Sequence, residues 1–474
     1  MRGAAARRVR LSRSSLAGDM MLELTFAGFA TATWIAAAGA LFGCLSGLMP
    51  GLHVNNLSVI LISLSGFMAA LFSGVLPSEF PIPFAIALFI ISTATAHTFV
   101  NTVPGTFLGA PDEDAALGVL PAHRMLMQGR GFEAVSLSAL GSMGAVFACA
   151  LLLFPFKWVL SEPLNLYSLL QGAMVYALIC VSFILVATEH GEPFADHLGR
   201  GSVPSMLSGV GVALCVFLTS GLFGVIIFDI ELNSLVGLPG PVLFPALAGL
   251  FGISTLVASM KNNSRIPAQE IIERPLPGGW RGGLRTLRAV STGTASGAMV
   301  SVLPGVTSAA GTILASTASG EKDDRMVIVT LSAVNTANAF FVLAFLFMFL
   351  KSRSGVAIAV QQLVEVEQWE ASLPAPMLLC ILAAVLMSAA ISYFATRLLG
   401  RLFARIIGKI DYRKLAIFAI CIVVALVLLF TGPFGILILA AGTFIGMLPI
   451  EWGVRRSQCM GVLLVPIIIR LLLR

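Results

Sequence analysis

The spacing of its apolar runs constrains this chain more than any other feature. Roughly 10 to 13 windows of ~20 apolar residues, the length a helix needs to cross a bilayer, follow one another with at most about 30 polar residues between them. They fall near 26–48, 54–76, 81–103, 134–158, 166–188, 203–228, 238–260, 289–316, 325–350, 374–396, 414–430, 433–449 and 458–473. Charged residues make up 11% of the chain, too few to coat a water-facing surface where soluble proteins carry about 25%. The alternating ten-residue segments of an outer-membrane barrel are missing. The chain therefore reads as an all-α, polytopic protein of the cell membrane.

Charge is informative by position. Basic residues cluster at Arg2 to Arg13, Arg265 to Arg288 and Arg397 to Lys414, whereas 189–196 and 365–370 are acidic. The positive-inside rule predicts that the basic segments, and so the N-terminus, are cytoplasmic. These arginines flank spans and have no basic module behind them, so nucleic acid is not an expected partner. The start is basic and then apolar, like a signal peptide. No small-residue cleavage site is set off before Pro50, so a retained span is expected. Residues 1–19 are expected to be unstructured, with Met20 or Met21 an alternative start.

The seven cysteines lie in or beside apolar runs with no CxxC, and the five histidines form no HExxH. No metal or cofactor is expected, only Na⁺ or H⁺ as a coupling ion. GxSxG and Walker A strings are absent, and no nucleophile–base pair stands out. The chain does not read as an enzyme.

Four segments organise it: a tail (1–25), a first membrane half (26–260), a basic Pro- and Gly-containing linker (261–288) and a second membrane half (289–474). "GALFGCLSGLMPGL" (39–52) aligns without a gap on "GTASGAMVSVLPGV" (293–306), matching Gly39, Gly43, Pro50 and Gly51 to Gly293, Gly297, Pro304 and Gly305. A second echo matches Asn101-Thr102 to Asn335-Thr336. Repeated halves with Pro/Gly-interrupted segments in corresponding places are the sequence pointer to a secondary transporter's binding site. Topology agrees: with 261–288 and 397–414 inside and 351–373 outside, 289–316 must enter and return on one side, turning near Pro304-Gly305. A plain proline kink is the alternative for either copy.

At a broken helix, free N–H groups and the positive dipole end face the gap and suit an anion. Candidate substrate-binding residues are Pro50, Gly51, Asn55 and Asn56, with His53 and Ser58 beside them, and Pro304, Gly305, Thr307 and Ser308. Asn101, Thr102, Asn335, Thr336 and Asn338 form the second polar set. Such side chains also serve as plain interhelical hydrogen-bond partners. Asp112 and Asp114, in "PDEDAA", either couple an ion or cap a helix. Arg455 and Arg456 either read a carboxylate or mark a cytoplasmic loop.

"GCLSGLMPGL", "HTFVNTVPGTFLGAPDEDAALGVLPAHRMLMQGRG", "SGAMVSVLPGVTSA", "VNTANAFF" and "GVRRSQCMGVLLVPI" together resemble the TctA family, the large membrane permease subunit of tripartite tricarboxylate transporters, and its archaeal-type branch in particular. The resemblance implies secondary transport of a carboxylate, coupled to Na⁺ or H⁺. It also implies a small membrane subunit and an extracytoplasmic solute receptor as partners. The alternatives are a flippase for a lipid-linked phosphate and, from another class, a non-transport integral membrane protein; the flippase calls for lateral opening to the bilayer and an arginine near the breaks. No arginine stands within ten residues of Pro50 or Pro304.

Overall fold

The computed structural model describes residues 26–473 except 50–51, 110–118, 190–193, 195–201, 236–238, 241, 262–265, 274–278, 305, 322 and 410–411. Among the described residues, 8 helices are long and apolar enough to cross a membrane, and the protein is an all-α multi-pass membrane protein. The first half comprises α1 (Phe26–Gly47), α2 (Val54–Ser63), α3 (Ser65–Ser73), α4 (Ile82–Val100), α5 (Thr102–Leu108), α6 (Val119–Met127), α7 (Gly131–Leu160), α8 (Leu166–Ala187) and α9 (Val203–Ile227). It ends with α10 (Leu243–Leu247), a π-helical turn (Ala248–Ile253) and α11 (Ser254–Lys261). After the linker come α12 (Gly279–Val302), α13 (Ser308–Ser319), α14 (Asp324–Phe349), α15 (Gly355–Leu363), α16 (Pro376–Ile407), α17 (Tyr412–Glu451), a 3₁₀ turn (Arg456–Met460) and α18 (Gly461–Leu472). A two-residue antiparallel pair, Leu232 with Gly240 and Asn233 with Pro239, is the one sheet among the described residues.

The apolar windows did not all become single spans. Those at 54–76, 238–260, 289–316 and 458–473 break into shorter helices, and those at 414–430 and 433–449 form the two arms of α17. The arms meet at Gly432 (φ 67°, ψ −170°), a conformation open to glycine alone, and Pro433 follows without an N–H to continue the ladder.

Two helix pairs frame the centre. In the first, Cβ atoms added at Gly39 and Gly47 would lie 2.6 Å from Phe89 O and 2.9 Å from Val100 Cβ. Contact partners rise together in number, so α1 and α4 run parallel. In the second, Cβ atoms at Gly293 and Gly297 would each lie 2.7 Å from a methyl, of Ala333 and Ala337, so α12 and α14 are also parallel. Lipid offers helices no hydrophobic drive to associate, and small residues that let backbones close up supply dispersion contact instead.

The pairs point in opposite directions. The far end of α4, through α5, packs Val103 and Phe107 with Phe132, Ala404 and Ile407. There the linker docks: Gln269 Oε1 accepts from Gly131 N at 2.8 Å, and Glu273 pairs with Arg397 and Arg401. The start of α14 lies at that same end, where Arg325 meets Glu133 at 3.1 Å. So α14 leaves the linker end and α4 arrives there. Phe26, at the start of α1, therefore lies at the end opposite the linker. The expected common side for tail, linker and 397–414 is not what this direction gives, although the tail itself lies outside the described residues.

The window at 289–316 does enter and return at one end. Beyond Val302 the chain turns, and α13 comes back along α12: Ser296 Oγ donates to Gly311 O at 2.7 Å, and Arg288 Nη2 to Ser319 O at 3.1 Å. In the first half, α2 and α3 likewise lead from the break to the end where α1 and α4 begin, with the Phe72 and Phe89 rings 6.1 Å apart.

Arg455 and Arg456 serve the fold. Arg455 Nε lies 3.5 Å from Glu189 Oε2. Arg456 donates to Leu250 O (3.1 Å), Phe251 O (2.6 Å) and Ser254 Oγ (2.8 Å), answering carbonyls displaced by the π turn.

Two stability outcomes follow. Gly297→Val forces two backbones apart and costs about 1–3 kcal/mol, read as a lower melting temperature in detergent; Gly66→Ala, with nothing within 4 Å, leaves it unchanged. Arg456→Met strands buried carbonyls and costs about 1–3 kcal/mol for each one left unpaired, read in the same melt.

Candidate functional site

Three helices begin at one place. α2 is capped by His53, whose Nδ1 accepts from Asn55 N at 3.1 Å. α13 is capped by Thr307, whose Oγ1 accepts from Ala310 N at 3.4 Å. α15 is capped by Ser354, whose Oγ accepts from Ala357 N at 3.2 Å. All three caps line a single cavity of about 430 Å³, within the ~300–1,000 Å³ of small-molecule sites. Each helix brings the positive end of its dipole and its first-turn N–H groups.

Asn55 ties two of these starts together, its Oδ1 accepting from Gly355 N at 2.9 Å. On α14, Asn335 Oδ1 accepts from Ser308 Oγ at 3.3 Å. Thr336 and Asn338 complete that wall. The Thr336 hydroxyl is buried and has no partner among the described residues. Thr95 and Thr98 of α4 line the opposite side, each bonded to a carbonyl of its own helix. The rest of the lining is largely apolar, with Phe99, Val300 and Leu343 among it.

Arg353 enters from the turn between α14 and α15. Its Nη1 donates to Val302 O, the last carbonyl of α12, and its Nη2 lies 3.3 Å from the Tyr167 hydroxyl. The guanidinium carbon stands 4.7 Å from the Phe345 ring centroid. Among the described residues no carboxylate comes within salt-bridge distance of it. A guanidinium with no counter-charge among the described residues, beside three helix starts, suits the cavity to an anion.

The sequence candidates divide accordingly. Asn55, Pro304, Thr307, Asn335, Thr336 and Asn338 line the cavity, and Ser308 reaches it through Asn335. Pro50, Gly51, Gly305, Asp112 and Asp114, together with the Asn56 side chain, lie outside the described residues. Asn101 and Thr102 are not in the cavity lining. They sit where α4 passes into α5, under Gly47, whose added Cβ would lie 3.3 Å from Asn101 N. Gly43 meets Ala96 as Gly297 meets Ala337, so the contact register sets Asn101 about two helical turns away from the level that its echo with Asn335 implied. Arg353 and Ser354 went unread, because both sit in a loop whose net character is acidic. The signal was a lone "KSRSG" between a long span and a short apolar helix.

No group of three or more His, Cys, Asp or Glu is placed to hold a metal ion among the described residues. Beside Arg353 a second, almost wholly apolar groove of about 690 Å³ lies between α7, α8 and the α12–α13 hairpin, and it shares Leu303 with the first cavity.

Comparison with known proteins agrees with this architecture. The profile of the tripartite tricarboxylate transporter TctA family matches residues 34–461. An uncharacterized protein of Methanocaldococcus jannaschii is 26% identical over 442 residues, covering 91% of this chain and 96% of its own. No solved structure matches. The chain thus belongs to the TctA family, a family of tricarboxylate transporter permeases, which its sequence motifs resemble.

Proposed function

We propose that this chain is the permease of a secondary transporter that carries a small organic anion, a di- or tricarboxylate, together with H⁺ or Na⁺. The observation that carries the reading is the convergence on one cavity of three helix starts and a guanidinium with no carboxylate in salt-bridge distance among the described residues. Fixed donors of this kind replace the hydration shell of a carboxylate without a reorganisation cost. The opposed directions of the α1–α4 and α12–α14 pairs support an inverted-repeat mechanism, in which rocking of one half against the other exposes a central site to each side in turn. On this reading the linker end is cytoplasmic, since Arg397, Arg401 and Arg405 gather there. A small membrane subunit and an extracytoplasmic receptor are the proposed partners, by family membership.

One observation favours the second reading, a lipid-linked phosphate. The structure supplies the arginine that the sequence lacked near Pro304, and an apolar groove adjoins it. The first reading holds precedence because the polar lining, Asn335 to Asn338 in particular, lies in the inner cavity, away from the groove.

Uptake of labelled di- and tricarboxylates into proteoliposomes tests the proposal. Arg353→Ala removes a charge-assisted contact worth about 1.5–3 kcal/mol, so affinity falls roughly 10- to 150-fold; Arg353→Lys recovers part of it. Asn335→Ala lowers uptake about tenfold through loss of one hydrogen-bonding wall. Failure of every carboxylate to enter, with transfer of a polyprenyl phosphate instead, would decide for the second reading.

A further inference from the structure

The two breaks are held by different nitrogen donors. At the second, Arg353 donates to Val302 O. At the first, His97 of α4, which is fully buried, stands 2.8 Å from Leu52 O through Nε2 and 3.0 Å from Ser46 Oγ through Nδ1. A carbonyl oxygen can only accept, so Nε2 carries a hydrogen. Ser46 Oγ has a further acceptor in reach, Gly43 O at 3.1 Å.

This geometry fits two protonation states equally. With a neutral ring, the Ser46 hydroxyl donates to Nδ1. With a proton on Nδ1, that N–H donates to Ser46 Oγ, and the hydroxyl hydrogen turns to Gly43 O. Nε2–H donates to Leu52 O throughout. Neither state leaves a ring nitrogen or the hydroxyl unpaired, whereas an orphaned buried donor would cost most of its desolvation penalty.

We propose that His97 is the proton-binding site of the permease, and that its proton moves with the anion. The proposal rests on the reading of the cavity as an anion site. Leu52, whose carbonyl His97 holds, directly precedes His53, the cap residue that lines the cavity. Among the described residues, the carboxylates on elements packed against α4 are Glu133 of α7, paired with Arg130 and Arg325, and Asp324 of α14, paired with Arg124, so neither is left as a counter-charge for His97. α7 also brings Cys149 and Lys157, and α3 and α5 bring no titratable group. α1 brings only Cys44, α4 no other titratable group, the break His53, and α2 and α15 none. α16, packed on α1 and α4, brings Cys380 and Tyr393, with Arg397 and Arg401 paired to Glu273 and Arg405 near the same end. The anion is thus the counter-ion of the imidazolium, and each raises the occupancy of the other. At the second break the donor is a guanidinium, so the second break carries a permanent charge and the first a transferable one.

The test uses full-length protein in liposomes with a pH dye inside, measuring protons moved per labelled anion. Anion counterflow at equal pH runs beside it, to score the anion site alone. Wild type acidifies the lumen as the anion enters. His97→Gln, which keeps a donor for Leu52 O and an acceptor for Ser46, exchanges anion measurably while protons per anion fall at least about tenfold. Ser46→Ala deprives Nδ1–H of its acceptor and moves the pH midpoint of uptake about one unit toward acid; Ser46→Thr restores it. Unchanged protons per anion in His97→Gln would overturn the proposal, as would an unshifted midpoint in Ser46→Ala. If wild type shows no counterflow, the anion reading has failed. Nitrogen-15 spectra of the histidine-labelled protein in detergent then judge His97 alone. A ring protonated on both nitrogens in the folded state sustains the proton site, and a ring that stays neutral until unfolding rejects it.

Discussion

In hydrocarbon, an unpaired backbone group has no water to turn to, and every interruption of a helix must be answered by a donor or acceptor from elsewhere in the protein. Much of this molecule follows from that requirement. The chain breaks before His53 and before Thr307, and each break recruits side chains from distant segments. His97 holds Leu52 O, Arg353 holds Val302 O, and Asn55 holds Gly355 N. The same logic places Arg456 beneath the π turn. Where the answer is structural the site is packed shut. Where the breaks face one another, the unspent donors and dipoles remain as a cavity.

Glycine decides how closely the supporting helices can stand. Contacts at Gly39, Gly43, Gly293 and Gly297 are with backbone oxygens or methyls of the parallel neighbour, and even one methyl would not fit without moving a main chain. The framework around the cavity is therefore stiff. Stiff walls keep three helix dipoles aimed at one point, which is what makes fixed electrostatics effective in a medium of low polarisability.

Much of this was legible in one dimension. Apolar spacing gives a polytopic helical protein, the Pro-Gly pairs mark the breaks, and charge parity requires a returning hairpin at 289–316. The cavity wall at Asn335, Thr336 and Asn338 is readable too, as polar residues on an apolar helix. Other features were not, because they arise from tertiary approach. Arg353 is far in sequence from either Pro-Gly pair, yet it reaches Val302 because the turn between α14 and α15 comes to lie beside the end of α12. The two-turn offset that removes Asn101 and Thr102 from the cavity is a matter of register between parallel helices, which residue identity does not encode. The direction of α1 is likewise set by packing on α4, a tertiary contact that arginine clusters do not report.

The groove beside the α12–α13 hairpin has a consequence for how the molecule lives in its bilayer. Leu303 lines both that apolar groove and the polar-walled cavity, so the hairpin is a thin partition between the two. Any lean of the partition enlarges one at the expense of the other. Hydrocarbon packed against the groove would thereby press on the cavity's volume through the hairpin, with no specific headgroup contact.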